Sequence, residues 1–253
     1  MPQPYIGITG FMSRKEIDEC AKRRPPNSSR LLMCGVLVSS KTLAGKTNKY
    51  WNSYPKLEHL AMILAGNQPG VFKCLHLTTD EPEKLYNQAM LGIDYGGGKV
   101  DGIQLNMVWP DEKAIRRLKD QEPKLKFILQ VSPHLAGYST LSPEQLASNL
   151  SYYSGQVDYV IVDYSRGFGL DAPIDEVKKY FAALHCFHSG IGIVLGGGLF
   201  SGNVCKIINP LLTLYPDISI DTQRKTRDDS EDGGHLILPE AIAYLEEAFW
   251  TVP

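Results

Sequence analysis

Short apolar runs rich in Val, Ile and Leu recur along this chain, and a longer segment with helical spacing follows nearly every one. A strand covered by helices on both faces reads as a continuous apolar run, because no face of it is wet. Eight such runs stand out, at residues 5–9, 31–38, 71–77, 100–105, 126–131, 159–162, 192–195 and 218–220. The segments between them carry helix-start chemistry. Ser13 has Glu16 three residues on, the spacing of a capping box. Pro82 and Pro143 sit among Glu81, Glu83 and Glu144, where a first turn favours proline and acids. Further helices are expected over 57–64, from Pro110, over 174–184 and over about 239–249. Eight βα units in 253 residues predict a single-domain (β/α)8 barrel, an α/β TIM barrel spanning 1–253. The competing open doubly wound sheet ordinarily uses fewer units per domain.

Charge and cysteine usage narrow the partners. A formal net charge of −2 gives no global attraction to nucleic acid or to an anionic membrane. No apolar run reaches the roughly 18 residues of a spanning helix, and Met1-Pro2-Gln3-Pro4 does not open like a secretory signal. Cysteines 20, 34, 74, 186 and 205 are widely spaced with no CxxC pair, the pattern of buried free thiols in a reducing compartment. The expectation is a cytoplasmic protein, monomer or homodimer, whose partner is a small molecule rather than nucleic acid or membrane.

In a barrel of this kind the chemistry sits on loops after the strands' C-terminal ends. Val194-Leu195-Gly196-Gly197-Gly198 is the strongest signal there. Glycines after a buried strand let backbone amides approach an anion, and the next helix adds the positive end of its dipole. Gly196, Gly197 and Gly198 are therefore expected to bind phosphate. Gly96, Gly97 and Gly98 precede a strand and read as a turn on the opposite face. After the eighth run come Asp221, Arg224, Lys225 and Arg227; Arg224 and Lys225 lie nearer the strand end and are expected to complete the phosphate clamp. Asp163 ends the sixth run, placed for proton transfer, ahead of a loop that carries Gly169. Gln104, Asn106 and Gln130 end the fourth and fifth runs and suit hydrogen bonding to a polar ligand. His76, within the third run, reads as a core residue satisfied by a neighbour. Neither it nor His134 has a partner at metal-ligand spacing, so no metal site is expected.

Those residues, taken in order, resemble the phosphoribosylanthranilate isomerase family over roughly residues 5–249. Pro4-Tyr5-Ile6-Gly7-Ile8-Thr9 matches that family's opening Lys-Ile-Cys-Gly-Ile-Thr, Ile103-Gln104-Leu105-Asn106 its Val-Gln-Leu-His, Ile161-Val162-Asp163 its Leu-Leu-Asp, and Gly197-Gly198-Leu199 with Asn203-Val204 its glycine turn. The resemblance implies an Amadori rearrangement of a phosphoribosyl compound that uses no metal and no cofactor, with a cysteine base after the first strand and an aspartate acid after the sixth. Asp163 falls on the acid. Ile6 falls on the base, Asn106 replaces a histidine, and Lys49 corresponds to an arginine that meets the substrate carboxylate. Substrate contacts are then expected from Lys49, Gln104, Asn106, Gln130, Gly169 and Asp221. Three functions fit: an isomerase whose base comes from elsewhere, a different reaction (lyase or aldolase type) on a phosphorylated substrate, and a non-catalytic binder of a phosphorylated metabolite.

Overall fold

The computed structural model describes residues 1–107, 109–132, 141–164, 173–188, 190–228, 230 and 234–252. Eight parallel strands close into a barrel in chain order. They are β1 (Tyr5–Thr9), β2 (Leu31–Ser39), β3 (Val71–Thr78), β4 (Gly102–Leu105), β5 (Lys126–Val131), β6 (Tyr159–Asp163), β7 (Gly192–Gly196) and β8 (Ser219–Thr222), and β8 pairs back onto β1. The helices are α1 (Arg14–Ala21), α2 (Ser40–Leu43), α3 (Leu60–Ile63), α4 (Leu85–Tyr95), α5 (Glu112–Gln121), α6 (Pro143–Leu150), α7 (Ile174–Phe187), α8 (Val204–Leu212) and α9 (Leu238–Thr251). Among the described residues no helix is long and apolar enough to cross a membrane.

Helix starts follow the sequence signals where a side chain can cap them. Ser13 and Ser142 each close a capping box, with Glu16 and Gln145 as the returning partners. α4 has no side-chain cap, and a 3-10 turn, Pro82–Lys84, leads into it. The helix expected over 57–64 divides into a 3-10 turn, Leu57–His59, and the single turn α3. Its first residue lacks a side-chain cap, and Gly66, at φ +79°, turns the chain away soon after. The Gly96, Gly97 and Gly98 segment is the turn into β4, with Gly97 and Gly98 at φ +60° and +68°.

Side chains on each strand alternate between two apolar layers. Ile6, Ile8, Leu75, Ile103, Phe127, Val160 and their counterparts pack outward under the helices. Tyr5, Met33, Phe72, Cys74, Ile128, Tyr159, Ile161 and Val194 fill the lower barrel. The rings of Tyr5, Phe72 and Tyr159 contact one another there, at centroid distances of 5.1–6.2 Å. Phe127 is fully buried in the outer layer. Phe127→Ala is expected to cost about 3–5 kcal/mol, read as a lowered denaturant midpoint with an unchanged slope.

The alternation revises two expectations. Ile6 faces the helices, so a group at position 6 would not reach the barrel's centre whatever its chemistry. The inward residues of β1 are Tyr5, Gly7 and Thr9. Of the cysteines, 20, 34 and 74 are buried, but Cys186 is exposed and Cys205 is half-buried, bonded to Glu247 Oε1 at 2.8 Å.

Candidate functional site

The inward alternation changes character toward the C-terminal ends of the strands. Above the apolar floor it presents Thr9, His76, Gln104, Gln130, Asp163 and Asp221, and a cavity of about 460 Å³ opens over this level. Its walls include Gln104, Asn106, Gln130 and Asp163, all three glycines 196–198, and Asp221 with Arg224 and Arg227.

The polar residues rise diagonally around the wall because neighbouring strands are staggered. Gln104 is in register with Ile128, and Gln130 lies two residues farther on. Gln130 is in turn associated with Ile161, two residues before Asp163. Asp163 is level with Gly196, two residues before Gly198. Hydrogen bonds follow the diagonal: Gln104 Nε2 donates to Gln130 Oε1 at 3.2 Å, and Gln130 Nε2 donates to Asp163 Oδ2 at 3.0 Å. Gln104 also hydrogen-bonds the Asp221 carboxyl across the barrel.

Asp221 is the most perturbed acid of this level. Burial, helped by the charge of Asp163, pushes its pKa up to about 7, against the lowering effect of the Gln104 hydrogen bond. A Cβ on Gly7 would stand 2.5 Å from Asp221 Oδ1. The carboxyl therefore occupies the space that an inward side chain of β1 would take.

The glycine turn is held by its neighbours. Gly197 and Gly198 have φ of +93° and +70°, a region that a side chain rarely adopts. Asn203 Nδ2 donates to the Gly198 carbonyl at 2.9 Å, while Asn203 Oδ1 accepts from the Phe200 amide at 2.9 Å. Thr222 Oγ1 on β8 donates to the Leu199 carbonyl at 2.6 Å. The turn thus opens on the cavity directly before α8.

The cations are arranged differently from the expectation. Arg224 is exposed yet lines the cavity. Lys225 is exposed, lies outside the lining and stands over the Phe200 ring at 5.8 Å, so it does not join the glycine turn in the cavity wall. Lys49 likewise is exposed beside the Tyr50 ring at 5.3 Å, and Tyr50 rather than Lys49 reaches the cavity. Among the described residues of the cavity wall, Arg227 is a buried cation. It lies beyond Thr226, and the bridge between Arg227 and Leu236 turns it back over the mouth. Arg227 Nη1 donates to Ser53 Oγ at 2.7 Å, and Ser53 donates onward to the Gly234 carbonyl at 3.1 Å. Burial pulls its pKa down to about 10.

His76 is a core residue, but not a satisfied one. Neither ring nitrogen has a partner among the described residues. Burial first, and then the Arg227 charge, lower its pKa to about 3, so it is neutral. Gly169 lies outside the described residues. Among the described residues no group of three or more His, Cys, Asp or Glu is assembled that could hold a metal ion.

A closed parallel barrel with an acidic, glycine-bordered mouth on the C-terminal side belongs to the (β/α)8 class. Solved structures of that class superpose on nearly the whole chain. Phosphoribosyl anthranilate isomerase from Thermotoga maritima matches with a TM-score of 0.62 and 15% identity, over 97% of this chain and 98% of that one. The enzyme of the same name from Thermus thermophilus gives 0.60 and 14%, over 95% and 96%. The tryptophan synthase alpha chain of Legionella pneumophila subsp. pneumophila gives 0.58 and 12%, over 99% and 92%. The chain thus resembles phosphoribosylanthranilate isomerase structures, and at these identities the likeness is one of fold. No family model and no curated protein matches the sequence.

Proposed function

We propose that this protein binds a phosphorylated, sugar-type small molecule and isomerises it in the manner of an Amadori rearrangement, in which the ring opens, C2 gives up its proton and the resulting enaminol becomes the ketone as C1 gains one. The observation that carries the reading is the pair of buried carboxyl groups, Asp163 and Asp221, at the mouth of a barrel whose next strand runs into a glycine turn that lines the same cavity. Such a rearrangement needs an acid to protonate the ring oxygen as the sugar opens and a base to take the proton from C2. Asp163 serves as the acid. Asp221 serves as the base, from the space beside Gly7 where a β1 side chain is absent. A carboxyl with a pKa near 7 is well matched to accept and return a proton at neutral pH. The amides of 197 and 198, with Arg224, hold the phosphate; Gln104, Asn106 and Gln130 line the path between.

The test is complementation of a tryptophan auxotroph that lacks the isomerase, combined with a coupled assay on the purified chain. Growth that disappears with Asp163→Asn supports the isomerase. Good expression without growth or turnover, alongside retained binding of phosphorylated sugars, would replace it with a binding function. Binding itself is expected to raise thermal stability by about 2.7 kcal/mol at a ligand concentration 100-fold above its dissociation constant.

A further inference from the structure

Gln104 and Gln130 line the cavity, yet their amide groups are committed to the protein. Both ends of the connection are carboxyl groups, and an ionised carboxylate only accepts. An amide facing such a group must present its N–H. If two amides in series join two acceptors, one of them donates in both directions and its carbonyl is left over. Gln104 is that amide: it donates to Gln130 and hydrogen-bonds Asp221, and its Oε1 is buried without a partner among the described residues. The side chain is only 1% exposed. A methionine or leucine would fill the same volume with no stranded acceptor, so the arrangement is kept at a cost to stability.

We propose that Gln104 and Gln130 form a positioning bridge that fixes the separation and orientation of Asp163 and Asp221, and so makes the two carboxyls act as one acid–base unit. The inference rests on the acid–base reading given above and adds to it how the pair is held. The stagger of β4, β5 and β6 supplies the bridge's geometry, since each successive partner lies two residues beyond the register position of the last. Asp221 is faced by Asp163 from β6, Gln104 from β4, Tyr5 from β1, Cys74 from β3 and Tyr244 from α9. Of these, Gln104 is the neutral donor to it that a substitution can remove without altering charge.

The experiment uses the full chain labelled with carboxyl-13C aspartate, with Asp221→Asn and Asp163→Asn assigning the two resonances. Gln104→Met is expected to move the Asp221 titration midpoint upward from about 7, because the donor that favours the ionised form is gone. Gln130→Met is expected to stop the Asp163 carbon from following the Asp221 titration. Inorganic phosphate affinity, measured calorimetrically in the same samples, should stay within about twofold, since the glycine turn lies on β7 and is bonded elsewhere. An Asp221 midpoint unmoved by Gln104→Met, or an Asp163 response intact in Gln130→Met, would overturn the bridge. So would an equal loss of phosphate binding in both variants, which indicates general damage. Should Gln104→Met fail to fold, the Gln130→Met result decides. Absence of phosphate binding in every sample, wild type included, removes the phosphate reading and leaves the titration result standing.

Discussion

Asp221→Asn is expected to lower the rate of the proposed isomerisation by about 10²–10⁴-fold, the usual cost of losing a general base, with phosphate binding retained. The side chain is 6% exposed and its partners are hydrogen-bonding rather than ion-pairing. Asparagine keeps the shape and can take over the Gln104 contact by reorienting, so loss of rate with retained fold reports on proton transfer. The substitution should also flatten the pH dependence of stability. The folded pKa of about 7 lies above the ordinary 3.8, so between those values the native state holds a proton that the unfolded chain has released. Stability from this group is fully present below about pH 4 and is lost as pH rises to about 7. At roughly 1.36 kcal/mol per unit the loss is about 4 kcal/mol. Denaturant midpoints at pH 4.5 and 8 for the two proteins test this. An equal fall in both would show that Asp221 is not the group responsible.

Gly10→Ala is expected to destabilise the fold by about 3 kcal/mol or more, and to disturb the mouth specifically. Two independent effects combine. Gly10 has φ +122°, where a side chain strains the backbone by roughly 1–3 kcal/mol. Its Cβ would also stand 1.8 Å from Arg227 Nη2, and such overpacking typically costs about 1–3 kcal/mol. Arg227 cannot yield easily, since it is buried and bonded to Ser53, which in turn holds Gly234. The two contributions separate in a double-mutant cycle with Arg227→Ala: the clash disappears in that background and the backbone strain stays. A Gly10→Ala protein as stable as wild type would overturn both effects, whereas a loss unchanged in the Arg227→Ala background would leave only the backbone strain.

The barrel was readable because its signal is repeated. Eight apolar runs recur between helical segments, and an error of one or two residues in any run leaves the count intact. The acid and amide positions followed from the same rule, since Gln104, Gln130 and Asp163 lie at or within a residue of a strand's end and the chemistry of a barrel lies there. Side chains beyond the strands were less legible. Arg224 and Lys225 are closer in sequence to β8 than Arg227 is, yet the 3-10 turn at Arg224–Thr226 and the return pairing with Leu236 bring Arg227 inward and leave Lys225 outside. Distance along the chain carries no information about that reversal. Ile6 is a different case. The motif matched letter by letter places the base there, but alternation assigns positions 5, 7 and 9 to one face and 6 and 8 to the other. That parity was present in the sequence, and it identifies Gly7 as the inward gap. The filling of the gap by Asp221, from a strand more than 200 residues away along the chain, depends on closure of β8 onto β1, which local pattern does not specify.

The diagonal running from Gln104 through Gln130 and Asp163 to Gly198 makes the site intolerant of a kind of change that its loops accept. Each link depends on a two-residue offset between neighbouring strands. Inserting or deleting one residue inside β5 or β6 would exchange the inward and outward faces beyond that point and carry Gln130 or Asp163 into the helical layer. The same change between a strand's end and its following helix would leave the diagonal untouched. Length variation among chains that share this mouth should therefore be confined to the connections, with the interiors of β4, β5 and β6 fixed in length even where their apolar residues exchange freely.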